Sequence, residues 1–360
     1  MKQFKKLNKF WLLITFAVIG RIILAFIVWH PDVRNHIDWG IRFYDYGASE
    51  FYSSDANVWS FTWPNQPPGS ILIYAGIYKL FLFLFSILWW INIKIPVFPS
   101  IIVTVAESNL YPALLKLPAV LSDLGIAYLI YKILCNPALD LGSRKAARLG
   151  AVLFLLNPAI WYNSAVWGQT DAIVNFFGLL AFYFLFKNKL AFAIAAFTAS
   201  IYIKISLLIF APIFFLLLLK KYRFKNILVS TLPSLFAIIS ISWFFSRTSG
   251  KNPISWLYWL YTNKVLTEQL QVITANAFNI WAALTGIHEQ PHTLPFLGLT
   301  YQYWGYILFT LFFIPIIYSL YKKQDEKTAI VALTLTAFAS WSLLTNMHER
   351  YLYPLFPYLT

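Results

Sequence analysis

Charge is what this sequence has least of. Charged residues make up 12% of its 360 positions, and only 14 of them are carboxylates. A soluble domain carries about 25% charged residues, so that class is excluded. There is one cysteine, Cys135, which excludes an intrachain disulfide and any cluster of thiolate metal ligands. Histidine-rich metal spacings are missing too. No metal site is assigned and no cofactor is expected, although Asp and Glu leave room for a divalent cation. No A-x-A-like cleavage site follows the first apolar run, Phe10 to Trp29, and Arg21 interrupts it. It therefore reads as a retained helix and not as a cleaved signal. No internal repeat of the inverted kind common in transporters is visible.

What fills the space is apolar. The chain is 59% hydrophobic with a mean hydropathy of +0.64, and runs near the ~20 residues needed to cross a bilayer recur along it. The expected fold is all-α: a polytopic integral membrane protein with roughly a dozen spans in one domain over residues 1–360. The formal net charge of +14 invites a nucleic-acid reading. Lys and Arg cluster in short loops, however, as cytoplasmic loops require, so the bilayer is the expected partner and nucleic acid is not.

Lys2, Lys5, Lys6 and Lys9 place the N-terminus in the cytoplasm of a cell-membrane protein. The loop from His30 to Pro68 is then outside, and Trp39 to Tyr52 within it is spaced like a helix lying in the interface. Gly69 to Ile93 reads as a second span. Lys94 to Lys116, with Pro96, Pro99 and Glu107, is a poor span. Yet Lys132, Arg144, Lys145 and Arg148 mark a cytoplasmic loop, so parity demands that something there crosses back. Further spans are expected at Leu117–Leu134, Leu149–Val166, Ala172–Phe186, Leu190–Tyr202, Ile205–Leu219, Ile227–Phe245, Tyr301–Leu320 and Ala329–Thr345. Residues 246–299 form a second long outer loop. Leu352 starts a run that stops with the sequence, which is therefore expected to be a fragment.

This topology puts all five histidines outside, together with Trp167, Gly168, Gln169, Asp171, Lys204 and Arg350. Five carboxylates (Asp32, Asp38, Asp45, Glu50 and Asp55) fall in the first outer loop. Glu50 and Asp55 read as a solvated face. Asp32 and Asp38 lie beside aromatics near the membrane surface, where scarce water makes a carboxylate a better proton acceptor. Ionisable groups inside spans are costly and suggest function, but Lys116 and Asp123, two turns apart on one face, read as an internal ion pair that locks packing. Arg21 is expected to snorkel or to pair with a carboxylate. Lys204 interrupts an apolar hairpin at YIKIS; snorkelling and phosphate binding suit it equally. Asp171 suits a helix N-cap near Ala172. His348, Glu349 and Arg350 cannot all face one site on a helix, at ~100° per residue, and Arg350 suits a phosphate. One base for an acceptor hydroxyl, with cations for a leaving phosphate, fits sugar transfer from a lipid phosphate.

The set resembles the GT-C superfamily of polyprenyl-phosphate-sugar-dependent glycosyltransferases, and within it the bacterial and archaeal relatives of the glycosylphosphatidylinositol mannosyltransferase II family. The resemblance rests on D-x6-W-G at Asp32 to Gly40, QPPG at Gln66 to Gly69 and KLPAVLSDL at Lys116 to Leu124. It continues in LNPAIWYNSAVWGQTD, in NAFNIW at Asn276 to Trp281 and in MHERYLYP at Met347 to Pro354, so it covers nearly the whole chain. It implies a hexose, mannose first, moved with inversion from a polyprenyl-phosphate donor to a glycan, lipid or protein acceptor on the outer face. The more distantly similar glucosyltransferases that extend lipid-linked N-glycan precursors carry a catalytic Asp seven residues before a Trp; that position is Asp32, and Asp38 ranks second. Gln66 departs from their acidic residue before Pro-Pro. The implied donor-phosphate site is Lys204, Arg350 and His348; Trp167, Gln169, Asp171 and Glu349 line the sugar pocket. The rival classes are a transporter or flippase of lipid or glycan, a non-catalytic membrane scaffold, and a glycan polymerase or ligase using a lipid-diphosphate donor.

Overall fold

The computed structural model describes residues 2–54, 56–136, 144–266 and 271–360. Asp55, expected to be solvated, lies outside them, as do residues 137–143 and 267–270 of two expected loops and the side chains of Lys2, Lys5 and Lys6. The fold is all-α, 76% helical. Among the described residues, five helices are long and apolar enough to cross a membrane, or six if one bent pair counts as a single span.

Helix α1 (Lys2–Ile27) is followed by α2 (Val33–Glu50), α3 (Pro68–Lys94) and α4 (Ile101–Leu134). Only 17% of the most apolar stretch of α1 and of α3 is buried, against 56% for α4. Helix α4 is therefore the axle of the bundle. It runs antiparallel to α1: Lys116 Nζ donates to the carbonyls of Ala25 and Val28 at 2.8 and 2.6 Å, and Arg21 Nε donates to Asp123 at 3.2 Å. Two expectations are corrected here. No separate element between residues 94 and 116 crosses back, because residues 101–116 belong to α4 itself. Lys116 and Asp123 do not pair, because each finds a partner on α1. The ammonium instead satisfies carbonyls at the end of α1, where a cation is favoured. Asp123 meets Arg21, which of its two expected fates, snorkelling or pairing with a carboxylate, takes the second.

Helix α5 (Arg144–Leu156) breaks at Asn157-Pro158, where Asn157 caps the short α6 (Pro158–Trp161), and a π turn follows at Tyr162–Val166. The pair is bent by 51°. Helices α7 (Asp171–Phe186) and α8 (Leu190–Ile203) form a tight hairpin buried in the main core with Phe154, Phe182, Phe210 and Phe214. At 1.5 Å per residue both fall short of a ~30 Å hydrocarbon layer. A 3-10 turn (Ile205–Phe210), α9 (Ala211–Lys221) and α10 (Phe224–Ser246) follow. The stretch after α10 holds α11 (Pro253–Leu260), β1 (Thr274–Ala275), α12 (Ile280–Thr285) and the hairpin of β2 (Pro295–Phe296) and β3 (Leu299–Thr300). Helices α13 (Tyr301–Lys322) and α14 (Glu326–Leu343) lead to β4 (Met347–His348), a 3-10 turn (Glu349–Leu352) and α15 (Leu355–Leu359). Strand β4 pairs in parallel with β1. The run from Leu352, expected as another span, is this turn and a five-residue helix. A second, aromatic core packs α2 onto α3 and α10, with Trp39, Tyr52, Tyr74, Tyr111 and Phe245 fully buried.

Candidate active site

A cavity of about 710 Å³ opens at the end of the bundle where α1 finishes. Its wall includes Asp32 just before α2 and His36 on it, Gln66 before α3, Gln169 and Asp171 at the start of α7, Lys204 after α8, His348 in β4, and Arg350 and Tyr351 after it.

Asp32 occupies the cap position of α2, yet its side chain makes no capping bond. Its carboxylate is held from the cavity side. Oδ2 accepts from Trp167 Nε1 at 2.7 Å, Gln169 Nε2 at 3.2 Å and Arg350 at 3.2 Å. The other oxygen has only His30 Nδ1, at 3.5 Å. Trp167 and Gln169 reach one oxygen because Gly168 between them has φ +66°, the left-handed region, and a Cβ there would stand 3.0 Å from Lys116 Cγ. Only glycine takes that conformation without cost. The π turn just before supplies the extra residue that rotates this segment toward α2.

Lys204 sits where the chain is extended (φ −156°, ψ 134°) between α8 and the 3-10 turn. The break is clamped by the start of α3: Ser70 Oγ donates to the Ile203 carbonyl at 2.6 Å, and a Cβ on Gly69 would lie 2.6 Å from the Tyr202 carbonyl oxygen. The QPPG stretch is thus a contact surface as well as a helix start, with Pro68 in the first turn, where a missing N–H costs nothing. Lys204 Nζ donates to Asp171 Oδ1 at 2.8 Å. Asp171 is the first residue of α7 and forms no side-chain cap, since its carboxylate is turned to Lys204.

The His348-Glu349-Arg350 stretch is extended and then 3-10, so an α-helical 100° spacing does not govern it. The His348 carbonyl accepts from Trp341 Nε1 at 3.0 Å, which with the β1 pairing fixes the turn. Arg350 packs over the Trp167 ring at 5.0 Å and the Tyr351 ring at 5.6 Å. Burial would lower the Arg350 pKa, but neighbouring Tyr351, Asp171 and Asp32 outweigh it and raise the value. Burial would raise Glu349; its contact with His348 and a backbone hydrogen bond lower it.

Six of the nine residues singled out in the sequence therefore line one cavity: Asp32, Gln169, Asp171, Lys204, His348 and Arg350. Trp167 stands behind Asp32. Asp38 and Glu349 lie elsewhere. Asp38 follows Asp32 by six residues, about 240° around a helix, so it faces away. Its carboxylate takes Arg42 Nε at 2.8 Å, Ser60 Oγ at 2.8 Å and the Ser60 N–H at 3.0 Å, which ties α2 to the returning chain. Glu349 points to His348 at 3.6 Å and is not in the cavity wall. His36 was overlooked as a site residue. The signal was present: it follows Asp32 by four, one turn on, on the same face.

Two carboxylates and two cations thus alternate in one wall, and three of their atoms are unsaturated or nearly so. Asp171 Oδ2 and Arg350 Nε are buried without a protein partner, and the free oxygen of Asp32 has one weak contact. Such an arrangement can accept a proton and hold an anion at adjacent points. Among the described residues no group of three or more His, Cys, Asp and Glu side chains is placed to hold a metal ion. No protein-family model matches the chain, and no curated protein matches it.

Proposed function

We propose that the chain is an integral membrane glycosyltransferase that moves a hexose, mannose first, from a polyprenyl-phosphate donor to an acceptor hydroxyl, with inversion. The observation that carries this reading is the convergence of the Asp32 carboxylate with the Lys204 and Arg350 cations on one cavity. Asp32 removes the proton of the acceptor hydroxyl. The acceptor oxygen forms a bond to the anomeric carbon as the bond from that carbon to the phosphate oxygen breaks. The polyprenyl phosphate departs as an anion, and Lys204 and Arg350 neutralise it. Arg350 is shared with Asp32 at 3.2 Å; an arriving phosphate competes for its fork and loosens its hold on the base. Gln169, Asp171 and His348 are placed to meet the sugar.

In this reading the antiparallel run of α4 along α1 removes the need for α3 to cross. The crossings are α1, α4, the bent α5–α6 pair, α7, α8, the 3-10 turn with α9, α10, α13 and α14, nine in place of about a dozen. Lys132 and Arg148, Lys187 and Lys189, Lys220 to Lys225, and Lys322 to Lys327 then share the cytoplasmic side, and the cavity opens outside.

The test is transfer of radiolabelled sugar from polyprenyl-phosphate-mannose and polyprenyl-phosphate-glucose in membranes holding the full-length protein. Transfer that disappears in Asp32→Asn supports the reading and names the sugar. Transfer from neither donor overturns it.

A further inference from the structure

The cavity has an inner wall that the chemistry above does not use. His36 is 3% exposed, and its ring stacks on Tyr74 with centroids 4.4 Å apart and planes at 13°. Trp39 flanks it at 5.8 Å. Its Nδ1 is buried with no protein partner, although the residue lines the cavity. A buried nitrogen left unpaired is costly, and such groups in native structures have a reason.

The neighbours are already occupied. Tyr74 donates its hydroxyl to Gln66 Oε1 at 3.1 Å, and the Gln66 carbonyl accepts from Tyr52 at 2.7 Å. What is missing must therefore enter the cavity. It is not an anion: Lys204 and Arg350 offer an anion two full charges on the same wall, and the charged groups nearest His36 are Asp32, Arg350, Lys204 and Asp171. Nor does His36 offer a charge. Burial pushes its pKa from 6.5 down to about 3, so the ring is neutral. A neutral imidazole suits a hydroxyl, which donates to a bare ring nitrogen and accepts from a protonated one.

We propose that His36 is a specificity residue that reads a sugar hydroxyl of the bound donor with an uncharged ring nitrogen, one helical turn from Asp32. This rests on the glycosyltransferase reading. A site built to hydrogen-bond one hydroxyl discriminates strongly against a ligand lacking it, because its own buried group is then left unpaired.

The experiment measures the affinity of the purified full-length protein for three lipids by ligand-dependent thermal shift: polyprenyl phosphate, polyprenyl-phosphate-mannose and polyprenyl-phosphate-glucose. His36→Phe keeps the stack on Tyr74 and removes the nitrogen. The wild type is expected to bind one sugar-bearing lipid more tightly than the bare phosphate. His36→Phe should lose that increment, about tenfold, while holding the bare phosphate as before. Should His36→Phe not fold, His36→Gln and His36→Met replace it, the amide retaining the increment and the thioether losing it. A variant without the nitrogen that keeps the full increment overturns the role of His36 and leaves the enzyme class standing. A wild type that binds all three lipids equally does the same. A wild type that responds to none of them overturns both.

Discussion

The molecule holds two Arg–Asp pairs of the same length in different company. Arg21 and Asp123 meet at 3.2 Å with both side chains fully buried; Arg350 and Asp32 meet at 3.2 Å with the side chains 16% and 35% exposed. Around Asp123 both carboxylate oxygens are engaged: Oδ2 also accepts from Ser164 at 2.6 Å, and Oδ1 accepts from Tyr353 at 2.6 Å. Arg21 donates to the Ala17 carbonyl and covers the Trp161 ring. Around Asp32 one oxygen is crowded and the other nearly free. The difference is saturation, not distance. A buried carboxylate engaged at both oxygens can only hold parts together; one left open at one oxygen beside a cavity can still bind something.

The closed pair also serves the open one. Ser164 lies in the π turn three residues before Trp167, and Tyr353 lies three residues after Arg350. Asp123 therefore tethers both segments that bring partners to Asp32, which makes it a positioning residue that touches no part of the cavity wall.

The contrast can be broken most sharply with one conservative change in each pair. Asp32→Asn should lower sugar transfer by about 10³-fold, the scale of a lost general base, with little change in thermal midpoint. Asp123→Asn should do the reverse in kind: it leaves Arg21 buried without its counter-charge and should destabilise by about 3–5 kcal/mol, read as a fall in thermal midpoint in detergent. If the two variants behaved alike in both assays, the division between holding and binding would be false. Gly168→Ala should cost about 1–3 kcal/mol through its left-handed φ. It should also lower transfer more than it lowers stability, because Trp167 and Gln169 would lose their common target; parallel measurement of both decides. The effect that is smallest near neutral pH is that of His36, and it grows as pH falls. His36 is uncharged in the fold and charges more easily when unfolded. The unfolded chain thus binds more protons between about pH 3 and 6.5, and stability should fall as pH drops through that window. His36→Phe should flatten this part of the thermal-midpoint profile.

Much of this was legible before any coordinates. The bounds of α7 and α8 follow from where apolar runs stop, the run expected at Ile205–Leu219 opens instead with a 3-10 turn before α9, and YIKIS marked a break because a lysine interrupts two apolar stretches. What the sequence conceals is which helix faces which. A separation of seven positions puts Lys116 and Asp123 on one face, but cannot say that α1 supplies a nearer partner for each. Residues 94–116 were hard to place for the same reason: nothing in their composition says that residues 101–116 continue into one helix with the run that follows. Asp38 looked like Asp32 by composition of its surroundings and differed by its angle on α2. His36 was hidden because a lone histidine beside aromatics reads as packing until its unpaired nitrogen is seen.

The direction of α4 has a last consequence. Fifteen residues of that helix, 101–115, lie beyond Lys116, about 22 Å of length past the level where α1 ends. Along them and along α3 run Leu80, Leu82, Phe83, Ile87, Trp89, Trp90, Ile93, Ile101, Ile102 and Val105, all more than a third exposed. A molecule of that outline has no level waterline. The exposed apolar surface therefore does not end at one level: on the α3–α4 flank it reaches well past the end of α1.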